Sequence, residues 1–175
     1  MLIKISENDF QQVFDIMENS FPTDEYRPFY EQKDLFLKKE YSVYGLKNKE
    51  NNSLMGFIAL WEFDDFLYIE HFAVSPYFRN KGLGEKILSE LKSISDKTLC
   101  LEVEPPKNDI SVRRINFYKR NGFFLNEYPY IQPAISKGKS PVTLMIMTSD
   151  KKISEEEFLK IKDTLYKKVY HIFES

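Results

Sequence analysis

The sequence predicts one α/β domain with a mixed, mostly antiparallel sheet of about seven strands and helices on both faces. A first observation is the series of strand-like segments between residues 41 and 74, separated by short polar turns as in a meander. A second is the alternation of helix-like and strand-like segments between residues 83 and 149. A third is the length of 175 residues with 42% hydrophobic content, which suits one buried core.

The amino-terminal part predicts a short strand and two helices. Residues 2–5 are strand-like, and Ser6 with Asp9 three residues later resembles the capping box that opens a helix. The apolar face of this helix is Phe10, Val13, Phe14 and Met17. A second helix is expected at about residues 29–39, after an irregular proline-containing segment.

The middle of the chain predicts the sheet. Three strands are expected at residues 41–47, 54–63 and 66–74, and a helix then follows, with Ile87, Leu88, Leu91 and Ile94 along one face. A buried strand is predicted at residues 98–104 and another helix up to Gly122. Two last strands flank a proline-rich loop.

A final amphipathic helix is predicted from Ser154 to Phe173. Ser154 and Glu157 form a capping box, and apolar residues recur on one face of the segment. We therefore divide the chain into a domain of residues 1–149 and a terminal helix in residues 150–175. This helix packs on its own domain or, alternatively, on a partner such as a second copy of the chain.

Composition excludes several function classes. The chain has 25 basic and 27 acidic residues, and only five of the basic residues are arginine, so we expect no nucleic-acid partner. A single cysteine, Cys100, excludes a disulfide framework, and no cysteine or histidine spacing predicts a metal site. No apolar run approaches the roughly 18 residues of a membrane span. We expect a cytoplasmic protein without a membrane partner.

The clearest indication of function lies in the segment Arg79-Asn80-Lys81-Gly82-Leu83-Gly84. It lies between a buried strand and an amphipathic helix, where first-turn N–H groups and the helix dipole favour an anion. Glycines allow a phosphate to approach the backbone, and the two basic side chains add positive charge. Neither the GxxxxGK[ST] nor the GxGxxG pattern is present. The segment therefore predicts a different kind of phosphate-binding loop.

This loop resembles the acetyl-CoA loop of the GNAT superfamily, the acetyl-CoA-dependent amine N-acetyltransferases. Arg79-x-x-Gly82-x-Gly84 matches the family pattern Gln/Arg-x-x-Gly-x-Gly/Ala, and it follows the strand end Phe72-Ala73-Val74-Ser75-Pro76. Residues 115–123 resemble a second family element, which ends in Tyr-x-x-x-Gly-Phe. The order of elements over residues 1–149 also agrees.

The resemblance implies a GNAT-type acyl-CoA N-acyltransferase fold, acetyl-CoA as the coenzyme and no metal. The residues that it places against the coenzyme are Phe72, Ala73, Val74, Arg79, Asn80, Lys81, Gly82, Leu83, Gly84 and Tyr118. Asn108 stays open as a contact, because the spacing from the preceding strand to Tyr118 is longer than is usual in the family.

A carboxylate base and a tyrosine acid are expected for catalysis. Glu70 interrupts an otherwise apolar strand, where a carboxylate is costly unless it is used or paired. Glu102 and Glu104 form a similar pair on the next strand, and Glu104 is the alternative base. Strand alternation places His71 on the face opposite Glu70. Tyr118 occupies the family's tyrosine position and is expected to protonate the departing thiolate.

The acceptor site is the least defined part of the sequence. The resemblance places it between the first two helices and the loop joining the last two strands. The candidate contacts are Glu25, Arg27, Tyr128, Tyr130 and Gln132. We expect transfer of an acetyl group to a primary amine of a small molecule or peptide, without an acyl-enzyme. The alternative is a non-catalytic acyl-CoA-binding regulatory module.

Overall fold

The computed structural model describes residues 1–172, and these residues form seven strands and five α-helices. Backbone proximity groups the chain into two compact units. The first combines residues 1–22 with 28–99, and the second combines residues 23–27 with the chain from Cys100 onward. No helix in the described part of the chain is both long and apolar enough to span a bilayer.

The first unit is an antiparallel meander. Its strands are β1 (Ile3–Lys4), β2 (Tyr41–Lys47), β3 (Leu54–Glu62) and β4 (Phe66–Val74), each paired with its sequence neighbour. β3 is buried along nearly its whole length, in line with its almost continuous run of apolar residues. The three strands predicted between residues 41 and 74 are therefore confirmed.

Three helices belong to the first unit: α1 (Phe10–Glu18), α2 (Phe29–Asp34) and α3 (Leu83–Ile94). The predicted apolar face of α1 is buried, and Phe10 packs edge-on against the Phe29 ring of α2. Along α3, Ile87, Leu88 and Leu91 are fully buried, whereas Ile94 is exposed.

The predicted capping box at Ser6 is wrong. Residues Glu7–Asp9 form a 3-10 turn before α1, and the Ser6 side chain caps no backbone N–H. The Asp9 carboxylate instead accepts a hydrogen bond of 2.8 Å from Lys47 Nζ on β2. Lys47, which is distant in sequence, therefore binds the Asp9 carboxylate that the capping box would have used.

The second unit consists of β5 (Thr98–Val103), α4 (Asp109–Arg120), β6 (Phe123–Gln132), β7 (Val142–Ser149) and α5 (Glu155–Lys168). β7 lies between β5 and β6 and is antiparallel to both. The pairing of β6 with β7 is interrupted between Asn126 and Tyr130. Asn126 is buried, and its side chain hydrogen-bonds Thr148 Oγ1 at 2.9 Å and Ile153 N at 2.9 Å.

The capping box predicted at α5 is confirmed. Glu157 N donates to Ser154 Oγ at 3.2 Å, and Ser154 N donates to the Glu157 carboxylate at 2.8 Å. The predicted carboxyl end lies too far along the chain, because α5 ends at Lys168. Of the predicted extension, Phe173 lies outside the described residues.

Candidate active site

The loop between β4 and α3 contains two residues with a left-handed backbone conformation. Gly82 is the N-cap of α3 with φ of +72°, and Asn80 has φ of +62°. A Cβ built on Gly82 would meet nothing within 4 Å, so glycine is favoured there by the backbone conformation and not by crowding. Among the described residues, no side chain caps the helix start. The loop therefore presents the beginning of a twelve-residue helix to open space.

The two basic residues of this loop are tied to its own unit. Arg79 Nε donates to the Val74 carbonyl at 3.2 Å, and its Nη2 donates to Ser20 Oγ at 3.3 Å. Lys81 Nζ lies 5.4 Å from the centre of the Phe78 ring. Arg79 thus both adds charge to the loop and connects it to the end of β4.

Glu70 and His71 are brought together, contrary to the sequence prediction. In the pairing with β3, His71 is opposite Ala59 and Ile69 is opposite Leu60, which leaves Glu70 as an additional residue in a β-bulge. His71 Nδ1 lies 3.4 Å from Glu70 Oε2, and both side chains are almost completely buried, with exposed fractions of 2% and 1%. The expected opposite faces of the two residues are wrong because the bulge breaks the alternation.

The predicted coenzyme contacts fall mainly in the first unit. Phe72 and Val74 lie on β4, opposite Ile58 and Gly56 of β3. Ala73 lies between them, and the run from Arg79 to Gly84 follows directly in the loop. The strand end and the predicted phosphate-binding loop are therefore continuous in one compact unit.

Tyr118 lies on α4 in the second unit. Its side chain is buried, with 8% exposure, and its ring packs against the rings of Phe117 and Phe123. Burial raises the pKa of Tyr118 to about 12, and the nearby charge of Arg114 opposes this shift. The hydroxyl group consequently keeps its proton throughout the physiological pH range.

Asn108 is the N-cap of α4. Its side-chain oxygen accepts from Ser111 N at 2.9 Å, and Ser111 Oγ accepts from Asn108 N at 3.2 Å. Capping of the helix is thus sufficient to explain the asparagine at this position, and no ligand contact is needed to explain it.

The two predicted acceptor segments meet in the second unit. Lys139, in the β6–β7 loop, donates to the Thr23 carbonyl at 2.6 Å and lies over the Tyr26 ring at 5.1 Å. The neighbouring Ser140 N donates to the Asp24 carboxylate at 3.0 Å. Residues 23–27, which contain Glu25 and Arg27, therefore belong with the loop although more than 100 residues separate them in sequence.

The remaining acceptor candidates lie on β6. Tyr130 and Gln132 are buried, at 3% and 5% exposure. Tyr128 is half-buried, donates to the Ile153 carbonyl at 3.0 Å and packs on the Phe158 ring of α5. Tyr128 is thus engaged in holding α5.

Sequence reasoning passed over Glu102 in favour of Glu104. Glu104 is half-buried just beyond the end of β5, whereas Glu102 lies within β5 and accepts a hydrogen bond of 2.6 Å from Tyr170 Oη. The available signal was the alternation of β5, which puts Glu102 on the same face as the buried Cys100. Tyr170 lies 68 residues further along, so no local pattern connects the two.

Comparison with known proteins identifies the family. The sequence profile of the Acetyltransferase (GNAT) family matches residues 10–123. This chain belongs to the GNAT family of acetyltransferases. The matched part includes the loop of Arg79 to Gly84 and the Tyr118 element, on which the resemblance was based.

Individual relatives agree with this assignment. The chain is 29% identical over 154 residues to "Putative acetyltransferase YjbC" of Bacillus subtilis (strain 168), covering 83% of this chain and 78% of that protein. The solved structure of a "Putative acetyltransferase from GNAT family" of Bacteroides thetaiotaomicron is 31% identical, with a TM-score of 0.87 over 99% of both chains. The predicted fold class is thereby confirmed.

A more distant structure shares the GNAT fold. Arabidopsis thaliana NAA60, solved in complex with acetyl-CoA, has a TM-score of 0.64 at 14% identity, covering 85% of this chain and 96% of its own. At this identity the likeness concerns the fold alone.

Proposed function

We propose that this GNAT protein transfers an acetyl group from acetyl-CoA to a primary amine of a small molecule or peptide. Both substrates are bound together, and the amine attacks directly. The observation that carries the proposal is the loop at the start of α3, where Gly82 has φ of +72° and no side chain of the described residues caps the helix. We assign the catalytic domain to residues 1–149, with residues 150–175 packed on it or on a partner. A cytoplasmic location stays a prediction.

The loop suits the diphosphate of coenzyme A. Backbone N–H groups in the first turn of a helix have no acceptors within the helix, and the dipole there favours negative charge. The space in front of Gly82 is open, and Arg79 and Lys81 stand close to it in the same loop. We propose that Phe72, Ala73 and Val74 bind the pantetheine arm through their backbone, and that the run from Arg79 to Gly84 binds the phosphates.

Glu70 is the proposed base, with Glu104 as the alternative. A primary amine with a pKa near 10 is protonated at pH 7, and removing that proton costs about 4 kcal/mol. A carboxylate accepts it directly or through a water molecule. The bulge at Glu70 supports this role, because bulges redirect side chains and occur next to active sites.

Tyr118 is the proposed acid. When bound, acetyl-CoA supplies a thioester carbon that the neutral amine attacks, and the carbon–sulfur bond breaks to release a thiolate. The raised pKa of Tyr118, about 12, keeps its proton in place before the reaction. A free thiol has a pKa of about 8.5, so complete proton transfer from Tyr118 is favourable only where desolvation makes the thiolate more basic than the Tyr118 phenolate. We expect Tyr118 to donate a hydrogen bond to the sulfur and to pass its proton along it as the carbon–sulfur bond breaks.

The experiment is an assay of thiol release from acetyl-CoA across amines, aminoglycosides, polyamines and peptides. The Tyr118→Phe and Glu70→Gln variants are assayed in parallel. Turnover with one class of amine, reduced at least tenfold in either variant, supports the enzyme. Binding of acetyl-CoA without thiol release from any acceptor favours the non-catalytic acyl-CoA-binding module.

A further inference from the structure

A buried polar cluster lies in the second unit, and we call it the Glu102 cluster. Its members are Glu102, Tyr130, Gln132, Tyr166 and Tyr170. Through β7, Glu102 is aligned with Ile146, and Tyr130 and Gln132 are aligned with Leu144 and Val142, so these three side chains start from one face of the sheet. Glu102 Oε1 accepts from Tyr170 Oη at 2.6 Å. The Tyr130 ring lies 6.0 Å from the Tyr166 ring, and Tyr166 Oη donates to the Ile131 carbonyl. The cluster therefore joins β5 and β6 to α5 and the residues just after it.

Two polar atoms of this cluster lack a hydrogen-bond partner within the described part of the chain. They are Tyr130 Oη and Gln132 Nε2, in side chains that are 3% and 5% exposed. Buried polar groups in proteins are nearly always paired with protein or with an ordered molecule. Because strand residues two apart share a face, Tyr130 and Gln132 project from the same side of β6, and their Cα atoms are about 7 Å apart along the strand.

The charge around Tyr130 is negative. Burial raises the pKa of Tyr130 well above its usual value, and the Glu102 carboxylate, the next largest cause, raises it further. A hydroxyl group beside a carboxylate, kept neutral in this way, presents lone pairs to a donor. A group that donates several hydrogen bonds and carries positive charge complements both oxygens.

We propose that the Glu102 cluster recognises the acceptor before its deprotonation: Glu102 and Tyr130 bind the ammonium group, and Gln132 binds a nearby oxygen of the same molecule. This selects amino amides or amino alcohols over simple alkylamines. Tyr170 is a positioning residue, since it acts through its hydrogen bond to the carboxylate. The inference rests on the proposed acetyl transfer and narrows its acceptor class.

The primary test measures binding to the complete protein by nuclear magnetic resonance titration, without acetyl-CoA. The three probes are glycinamide, which has both groups, propylammonium, which lacks the oxygen, and acetamide, which lacks the ammonium. We expect glycinamide to bind at least fivefold more tightly than propylammonium and acetamide to bind weakest. Equal affinity for the three probes would overturn the inference.

Variants assign the contacts. Glu102→Gln is expected to lower the affinity for glycinamide at least tenfold. Glu127→Gln removes an exposed carboxylate from the same strand as Tyr130 and should leave that affinity unchanged. Gln132→Leu should lower the affinity for glycinamide severalfold and leave the affinity for propylammonium unchanged. The inference is wrong if Glu102→Gln and Glu127→Gln bind alike.

Tyr130→Phe guards against an effect of unfolding. It deletes a buried hydroxyl group that has no partner among the described residues, so the melting temperature should stay the same or rise while glycinamide affinity falls severalfold. A hydroxyl group that merely holds a buried water would give the reverse, with a lower melting temperature and unchanged affinity. That result contradicts the proposal.

Kinetics separate this inference from the proposed function. With an acceptor that turns over, Glu102→Gln should raise KM for the amine at least tenfold and change kcat less than threefold. Normal turnover with an unchanged KM overturns the inference and leaves the proposed function standing. Selective glycinamide binding without any acetyl transfer would support ligand binding by the Glu102 cluster and overturn the proposed acetyl transfer.

Discussion

The imidazole Nδ1 of His71 lies 3.4 Å from the carboxylate Oε2 of Glu70, although the two residues are adjacent in β4. Regular strands direct adjacent side chains to opposite faces. The additional residue in the pairing with β3 removes that alternation and brings two buried titratable groups together. The contact is therefore a property of the pairing between two strands and not of the local sequence.

Glu70→Gln tests the assignment of the base. We expect kcat to fall at least tenfold, because the amide cannot accept the proton of the acceptor ammonium. Glu104→Gln is the matched variant, and its kcat should stay within threefold of the unmodified protein. Steady-state assays, with melting temperatures to verify folding, compare the two. A large loss with Glu104→Gln alone would move the base to the end of β5.

Gly82→Ala tests the phosphate-binding loop. An alanine at φ of +72° costs about 1–2 kcal/mol, so either the loop conformation or the stability must suffer. We expect acetyl-CoA affinity to fall at least fivefold by isothermal titration calorimetry.

Gly138→Ala is the control for that variant. Gly138 also has a positive φ, +82°, and open space where a Cβ would lie, but it belongs to the β6–β7 loop. Gly138→Ala should lose about as much stability as Gly82→Ala does, but its affinity for acetyl-CoA should be unchanged. Equal losses of affinity in the two variants would argue against coenzyme binding at Gly82.

Tyr118→Phe tests the acid and its pH dependence. Because the pKa of Tyr118 is about 12, its proton is retained from pH 7 to 10. The variant should reduce kcat at least tenfold, and by the same factor at every pH in that range. An effect that disappears between pH 8 and 9 would assign a much lower pKa to the hydroxyl group and contradict this account. The acetyl-CoA dissociation constant should change less than threefold.

Alkaline pH should destabilise the folded protein. Burial raises the pKa values of Cys100, Tyr118 and Tyr130, so the unfolded chain loses these protons at lower pH than the folded chain does. Their stabilising effect is complete below the unfolded pKa values, about 8.5 for cysteine and 10 for tyrosine, and is lost as pH rises toward the folded values. Urea unfolding should show the free energy of unfolding falling from about pH 9 upward.

The contribution of Tyr118 to this loss of unfolding free energy at alkaline pH can be measured separately. A shift from 10 to about 12 corresponds to about 3 kcal/mol between those pH values. Tyr118→Phe should therefore flatten the decline by up to that amount relative to the unmodified protein. A decline parallel to that of the unmodified protein would contradict the raised pKa of Tyr118.

The sequence predicted those features that depend on short-range chemistry. The Ser154–Glu157 capping box, the glycine-containing loop before α3 and the strands of the meander each follow from residues a few positions apart. The corresponding failure at Ser6 has a long-range cause, since Lys47 binds the Asp9 carboxylate that the motif required.

The candidate site was less predictable, because its geometry depends on distant partners. The bulge at Glu70 arises from the pairing with β3, and the hydrogen bond from Tyr170 to Glu102 joins residues 68 positions apart. The contact of Lys139 with Thr23 is equally remote. Family resemblance predicted which segments form the acceptor site, but it could not indicate which buried polar atoms lack a hydrogen-bond partner among the described residues.

The most direct test of the central claim is a single-turnover reaction with acetyl-labelled coenzyme and an acceptor amine, analysed by mass spectrometry. The account predicts one labelled N-acetyl product for each coenzyme A released, with no label on the protein. Labelled protein, or release of coenzyme A with free acetate and no acetylated amine, would contradict direct transfer to an amine.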